Sequence, residues 1–315
     1  MNDKNFQDKI NILMQNLSKG DFDQAEKDGL KLDVSLKNNH IVKGALGVIF
    51  LSKKKFDKAD KYFKESIKFN PKFFEGYHNL GILNSLVGNE NLDDAIQYFK
   101  KALELNPEYV PAYFNLGTIL QKKKSFKESI GFFNKAIDLK SDFFQAMYNL
   151  GLSHQILGDF KTAEKYFLET IKVNPNYILA YNGLGILHHR TKDFEKSLMY
   201  FKKALELKPD HVETLINLGN ICDEIKKYSE SENYFKKAIN LQPNNQKAYF
   251  NYGNLLSRQN KFNKAIFNFN EAIRINPNYF LAYNSKGIAH SKLGNADEAI
   301  NCYRNALKIN PLFFM

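Results

Sequence analysis

Residues Ala112 to Gly117 read Ala-Tyr-Phe-Asn-Leu-Gly, and near copies of this hexapeptide recur along the chain. Ala146 to Gly151 reads AMYNLG, Ala180 to Gly185 AYNGLG, Ala248 to Gly253 AYFNYG and Ala282 to Gly287 AYNSKG. The closing glycines fall at 117, 151, 185, 219, 253 and 287, a constant step of 34 residues. A fixed period of this length marks an array built from one supersecondary unit, so the period fixes the fold class before any other property is weighed.

Extending the register both ways from Gly117 gives nine repeats, starting at Phe6, His40, Phe74, Val110, Phe144, Ile178, Val212, Gln246 and Phe280. Residues 6–313 are therefore expected to form a single array, with 314–315 as the truncated start of a further repeat. The third repeat carries two extra residues within Gly88 to Asp94, which a lengthened surface turn absorbs at little cost. In such an array each repeat touches only its neighbours, so the 315 residues do not imply two separate domains. A hydrophobic fraction of 43% with 14% aromatics is ample for a packed core.

Each repeat reads as two helices, A and B. In helix A, apolar or small residues stand at repeat positions 4, 7, 8 and 11, as in Tyr113, Leu116, Gly117 and Leu120, the stripe of one helical face. Helix B repeats the pattern at positions 17, 20, 24, 27 and 28, as in Phe262, Ala265, Phe269, Ala272 and Ile273. Small residues at positions 8 and 20, such as Ala95, Ala163, Ala265 and Ala299 at the latter, allow the two axes to approach within about 8–10 Å. Phe63, Phe99, Phe133, Phe167, Phe201, Phe235, Phe269 and Tyr303 recur at position 24 and are expected to fill the space between neighbours. Pro71, Pro107, Pro175, Pro209, Pro243, Pro277 and Pro311 at position 32 stop helix B.

Leucine and glycine at positions 7 and 8, alanine at 20, an aromatic at 24, alanine at 27 and proline at 32, in a 34-residue frame, resemble the tetratricopeptide repeat. The resemblance covers residues 6–313 and is weakest in the first repeat, where Leu13 replaces the glycine, Gly29 the aromatic and Lys37 the proline. It implies an all-α, right-handed superhelical solenoid with a concave groove. Tyr77, Tyr113, Tyr181, Tyr249 and Tyr283 occupy position 4, where the family often has tryptophan. Asparagine before Leu-Gly further resembles the repeat arm of protein O-linked N-acetylglucosamine transferases, in which such asparagines line the groove.

The second face of helix A, positions 2, 5, 6, 9, 12 and 13, is where the resemblance places that groove. Position 6 carries Asn11, Asn79, Asn115, Asn149, Asn217 and Asn251, while Ala45, Gly183 and Ser285 interrupt the row. An amide offers one donor and one acceptor, matching a peptide group of an extended ligand. Phe114, Tyr148 and Phe250 at position 5 add aromatic anchors, and Gln121, Gln155 and His189 at position 12 with Arg190 and Arg258 at position 13 add polar contacts. The competing reading has the asparagines bonding neighbouring helices or local backbone, with no part in recognition.

The net charge of +11 does not concentrate in this groove, where Lys122, Arg190, Lys247, Arg258 and Lys292 face Glu75, Glu213, Asp223 and Glu224. The surplus lysine lies in the A-to-B turns and on the outer face of helix B, without interleaved aromatics, which disfavours nucleic acid and leaves a mild preference for acidic partners. His154, His188, Cys222 and His290 share position 11, but equivalent atoms in adjacent repeats lie about 8–10 Å apart, too far to converge on one metal ion. No phosphate-binding loop, dinucleotide loop, nucleophile elbow or zinc motif is found, so neither cofactor, metal nor catalytic residue is expected. Cys222 and Cys302 fall in different repeats, and the N-terminal residues form no continuous apolar run; a cytoplasmic protein without a membrane span is expected.

These features point to a non-catalytic scaffold that holds an extended peptide or partner segment. Two alternatives stay open: a substrate-recognition arm of a glycosyltransferase or other transferase whose catalytic part is absent from this chain, and a basic binder of nucleic acid or an anionic surface. The last repeat would leave Ile300, Tyr303 and Leu307 uncovered, so continuation of the array, self-association through this end or fraying is expected there.

Overall fold

The computed structural model describes residues 3–312, which divide between residues 166 and 167 into two compact units. The chain begins with α1 (Asp3–Ser18), α2 (Phe22–Ser35), α3 (His40–Ser52), α4 (Phe56–Phe69), α5 (Phe74–Val87), the 3-10 turn Asn89–Asn91, α6 (Leu92–Leu105), α7 (Val110–Lys122), α8 (Phe126–Leu139) and α9 (Phe144–Ile156). It continues through α10 (Phe160–Val173), α11 (Ile178–Arg190), α12 (Phe194–Leu207), α13 (Val212–Glu224), α14 (Tyr228–Leu241), α15 (Gln246–Arg258), α16 (Phe262–Ile275), α17 (Phe280–Lys292) and α18 (Ala296–Ile309). No strand occurs among the described residues. From His40 onward each odd-numbered helix begins on the residue at which the period starts a repeat; α1 begins earlier, at Asp3. Residues 313–315, including the start of a further repeat read at 314–315, lie outside the described residues.

The two turns of each hairpin explain residues that the period left unexplained. Position 15, between helices A and B, is left-handed at Lys54, Lys124, Lys192, Lys226 and Asn260, with φ between 57° and 62°. Gly20, Gly158 and Gly294 hold the same position at φ 76° to 85°. This conformation costs an L-residue roughly 1–2 kcal/mol, so four of the turn lysines fill a site that glycine would fill more easily. In the third repeat Gly88 is extended instead, and the extra residues form the 3-10 turn before α6.

At the far end of helix B, Asn70, Asn106, Asn276 and Asn310 are extended with φ from −133° to −139°, as a residue before proline must be. Each accepts a hydrogen bond on Oδ1 from the backbone N–H two residues on, at 3.1 to 3.3 Å. Asparagine thus closes the turn that proline imposes.

The core explains the period itself. The seven phenylalanines at position 24 are at most 1% exposed. A Cβ placed on Gly47, Gly81, Gly117, Gly185, Gly219 or Gly253 would lie 2.4 to 2.7 Å from the phenyl ring of its own repeat. The position-8 glycine therefore makes room for that ring, where the sequence reading set it opposite the small residue at position 20. Two of the three serines at position 20 reach the glycine by a hydrogen bond: Ser197 Oγ donates to the Gly185 carbonyl at 2.6 Å and Ser231 Oγ to the Gly219 carbonyl at 2.7 Å, whereas Ser129 Oγ donates to the Phe126 carbonyl at 2.8 Å.

Two glycine-to-alanine changes are expected to have opposite signs. Gly185→Ala gains about 1 kcal/mol of helix propensity but drives a methyl into the Phe201 ring, and overpacking of about 1–3 kcal/mol outweighs it. Gly131, exposed within α8, has nothing within 4 Å of an added Cβ, so Gly131→Ala should stabilise by about 0.5–1 kcal/mol. Thermal melts of the two single variants check both; a stabilised Gly185→Ala would contradict the packing described.

Candidate functional site

In each compact unit the A helices lie side by side. In the first, α1 adjoins α3, α3 adjoins α5, α5 adjoins α7 and α7 adjoins α9; in the second, α11 adjoins α13, α13 adjoins α15 and α15 adjoins α17. Helix-A positions 2, 6, 9 and 13 from α5 onward remain half-buried or exposed, apart from the buried Gly183, and form one face of the A-helix layer within each unit. Positions 5 and 12, expected on the same face, lie instead at the seams between repeats.

That seam accounts for several residues read from the sequence as groove contacts. Phe114 sits 6.0 Å from the Phe133 ring and 4.9 Å from Phe143, and Phe250 sits 6.1 Å from Phe269 and 5.1 Å from Tyr279. Both are partly buried and packed against the core, because a position-5 side chain leans over the position-24 ring. Tyr148 at the same position is half-buried, and Gln155 is only 4% exposed. Gln121 donates to the Asn149 carbonyl at 2.7 Å and shares a 2.8 Å contact with Ser153 Oγ, tying α7 to α9.

The asparagines at position 6 divide into two groups. Asn115 Nδ2 donates to His78 Nε2 at 2.9 Å, and Asn217 Nδ2 donates to Asn182 Oδ1 at 3.3 Å. In both pairs the acceptor is the position-5 residue of the preceding repeat. Thr214 Oγ1 also donates to Asn182 Oδ1, at 3.2 Å. Asn149 and Asn251 follow Phe114 and Ile216, which offer no polar atom there, and among the described residues their side-chain amides have no hydrogen-bond partner. Asn79 is half-buried beside His78. Burial pushes the His78 imidazole down to about 4, against a hydrogen bond to Asn79 that favours its charged form.

Position 13 carries the charge of this face. Arg258, on α15, pairs with Asp223 of α13, and burial raises the Asp223 carboxyl despite the guanidinium beside it. His189 Nε2 lies 3.0 Å from Glu224 Oε1 in the same geometry one repeat earlier. Arg190 ends α11, exposed. The two compact units present different surfaces. In the first, positions 9 and 13 hold Ile82 and Leu86 on α5 and Leu152 and Ile156 on α9. In the second they hold Asn220 and Glu224 on α13 and Asn254 and Arg258 on α15, with Ile186 and Ile288 at position 9 of α11 and α17 beside Arg190 and Lys292 at position 13. The sequence reading missed the apolar residues, although sorting positions 9 and 13 by repeat would have found them.

Position-11 histidines serve the hairpin. His154 Nδ1 lies 3.1 Å from Asp159 Oδ2, with its ring 6.1 Å from Tyr166; His188 stacks on Tyr200 at 5.4 Å, with Asp193 Oδ2 at 3.8 Å. Among the described residues no group of three His, Cys, Asp or Glu side chains is placed to hold a metal ion. Cys222 and Cys302 are buried free thiols, and burial pushes Cys222 up to about 11, away from thiolate chemistry at neutral pH. No helix among the described residues is long and apolar enough to cross a membrane.

Stacked helical hairpins of one length, with small-on-aromatic contacts repeated in register, define a helical-repeat protein. Models of the tetratricopeptide repeat match residues 42–73, 80–142, 142–210, 176–244, 234–267, 253–294 and 280–313. The chain belongs to the tetratricopeptide repeat family. A comparison with curated proteins gave no match. Among solved structures the chain is similar to the APC/C hetero-tetramer Cut9–Hcn1, at 18% identity and TM-score 0.64, over 85% of this chain and 52% of that one. It thus spans about half the length of that relative. It is also similar to a tetratricopeptide repeat protein from Parabacteroides merdae, at 16% identity and TM-score 0.66, over 79% of this chain and 98% of that one. Yeast Tom70 matches at 16% identity and TM-score 0.54, over 98% of this chain and 92% of that one. At these identities the likeness is one of fold.

Proposed function

We propose that this chain is a non-catalytic, cytoplasmic interaction scaffold whose helix-A face holds an extended segment of a protein partner. The observation that carries this reading is the surface left after the core is accounted for. Asn149 and Asn251 keep amides that no neighbour uses, on helices whose position-13 side chains, Ile156 and Arg258, stand exposed. Unused amides on the packed A helices of each unit suit the peptide groups of an extended ligand, each bond contributing about 0.5–1.5 kcal/mol net. Apolar contacts must add the rest, since micromolar affinity requires about 8.2 kcal/mol. Membership of Cut9–Hcn1 in a hetero-tetramer gives one instance of a similar array used for assembly.

Partner capture from a lysate, read by mass spectrometry, tests this. Asn149→Ala with Asn251→Ala should deplete the captured set at unchanged melting temperature. Asn115→Ala with Asn217→Ala should instead lower stability by about 1 kcal/mol per lost bond, because those amides hold His78 and Asn182. A captured set that is the same with and without Asn149 and Asn251 would sink the reading.

A further inference from the structure

The helix-A face of the first compact unit carries a pattern with a defined spacing. Leu86 at the end of α5 is 58% exposed and Ile156 at the end of α9 is 52% exposed. Behind them, one turn back, lie the half-buried Ile82 and Leu152. The helix between, α7, ends in the exposed Lys122, whose Nζ is 3.5 Å from the Ser85 carbonyl oxygen. Lys123 beside it is paired with Asp93, and among the described residues no carboxylate pairs with Lys122. An ammonium thus stands between two apolar knobs, each on its own helix.

Neighbouring helices pack at about 8–10 Å, and a polyproline II chain advances about 9 Å per turn of three residues. Its side chains at i, i+3 and i+6 share one face and fall in step with α5, α7 and α9. A β-strand ligand repeats its face about every 7 Å and drifts out of step within two helices. A polyproline II chain also has no internal hydrogen bonds, so its peptide groups are open to the Asn149 amide. Apolar knobs on both sides of Lys122 require the ligand to run past the cation in both directions, which places its acidic group on a side chain and not at a chain end.

We propose that this face binds an internal segment of a partner protein in the polyproline II conformation, with apolar residues at i and i+6 and Asp or Glu at i+3. This rests on the groove-binding reading above and names the partner's chemistry. The probe is a fluorescein-labelled proline-rich peptide with Leu at i and i+6 and Glu at i+3, titrated into the full chain by fluorescence anisotropy. Saturable binding is expected, weakened about fivefold or more when the peptide's Glu becomes Lys or moves to i+2. Lys122→Glu should reverse the preference between the Glu and Lys peptides. Leu86→Ser and Ile156→Ser should each weaken binding about five- to tenfold, with the melting temperature unchanged because both side chains are half in water. No saturation up to about 1 mM overturns the proposal, as does binding that ignores register or the charge swap. If this peptide fails while partner capture still depends on Asn149 and Asn251, groove binding stands and only the assignment of partner chemistry falls.

Discussion

Phe201→Ala is expected to lower the stability of the chain by about 3–5 kcal/mol, the range for emptying a fully buried aromatic site. The ring is 1% exposed and fills two roles at once. One edge lies where the absent side chain of Gly185 would be, closing its own hairpin, and the ring packs with Leu218 and Ile221 of α13 in the next repeat. Its loss therefore weakens both the hairpin and the interface to its neighbour. Because stability in a repeat array is a sum of repeat and neighbour contributions, the denaturant transition should become broader or split as well as shift. Chemical denaturation followed by circular dichroism measures both. A variant that melts in one sharp transition near the wild-type midpoint would contradict the role given to position 24.

Acidification should expose a second weak point, in the first compact unit. His78 is 7% exposed, lies edge-on to Tyr109 at 5.0 Å, and accepts the Asn115 amide on Nε2, so it is held neutral. Its pKa falls from 6.5 in the unfolded chain to about 4 in the fold. The unfolded chain then binds the proton first, so the contribution is complete above pH 6.5 and is lost as pH falls from 6.5 towards 4. A shift of that size corresponds to about 3 kcal/mol. His78→Phe, the residue found at the same position in Phe114 and Phe250, should remove this part of the acid sensitivity. The difference in melting temperature between pH 7 and pH 4 should narrow in the variant; an unchanged difference would show that His78 is not the acid-labile group.

Much of the fold was legible in the chain because an array repeats its own grammar. The glycine step of 34 residues, the phenylalanines at position 24 and the prolines at position 32 each correspond to a local steric requirement that recurs wherever the local geometry recurs. The left-handed turn at Lys54, Lys124, Lys192 and Lys226 was hidden, since lysine there looks like an ordinary solvated side chain. The functional face was legible only in outline. Helical periodicity separates the core side of helix A from the other side, but positions 5 and 6 are adjacent in sequence and about 100° apart around the axis. What Phe114 and Asn115 touch depends on where the neighbouring repeats are placed: Phe114 packs on Phe143, immediately before the next, and Asn115 bonds His78 of the preceding one.

The repeat length, the starts of the A helices from His40 onward, the buried phenylalanine of seven hairpins and the family could all be read from the chain, because they are set by contacts within one repeat or its immediate copy. Which polar residues the fold itself uses follows only from the packing of one repeat on the next. Asn115 and Asn217 are committed to His78 and Asn182, Gln121 bridges α7 and α9, and Arg258 holds the buried Asp223, while Asn149 and Asn251 stay open. The same residue type at the same repeat position has two fates, because its partner sits some 35 residues away, at position 5 of the preceding repeat, which is polar in His78 and Asn182 and apolar in Phe114 and Ile216.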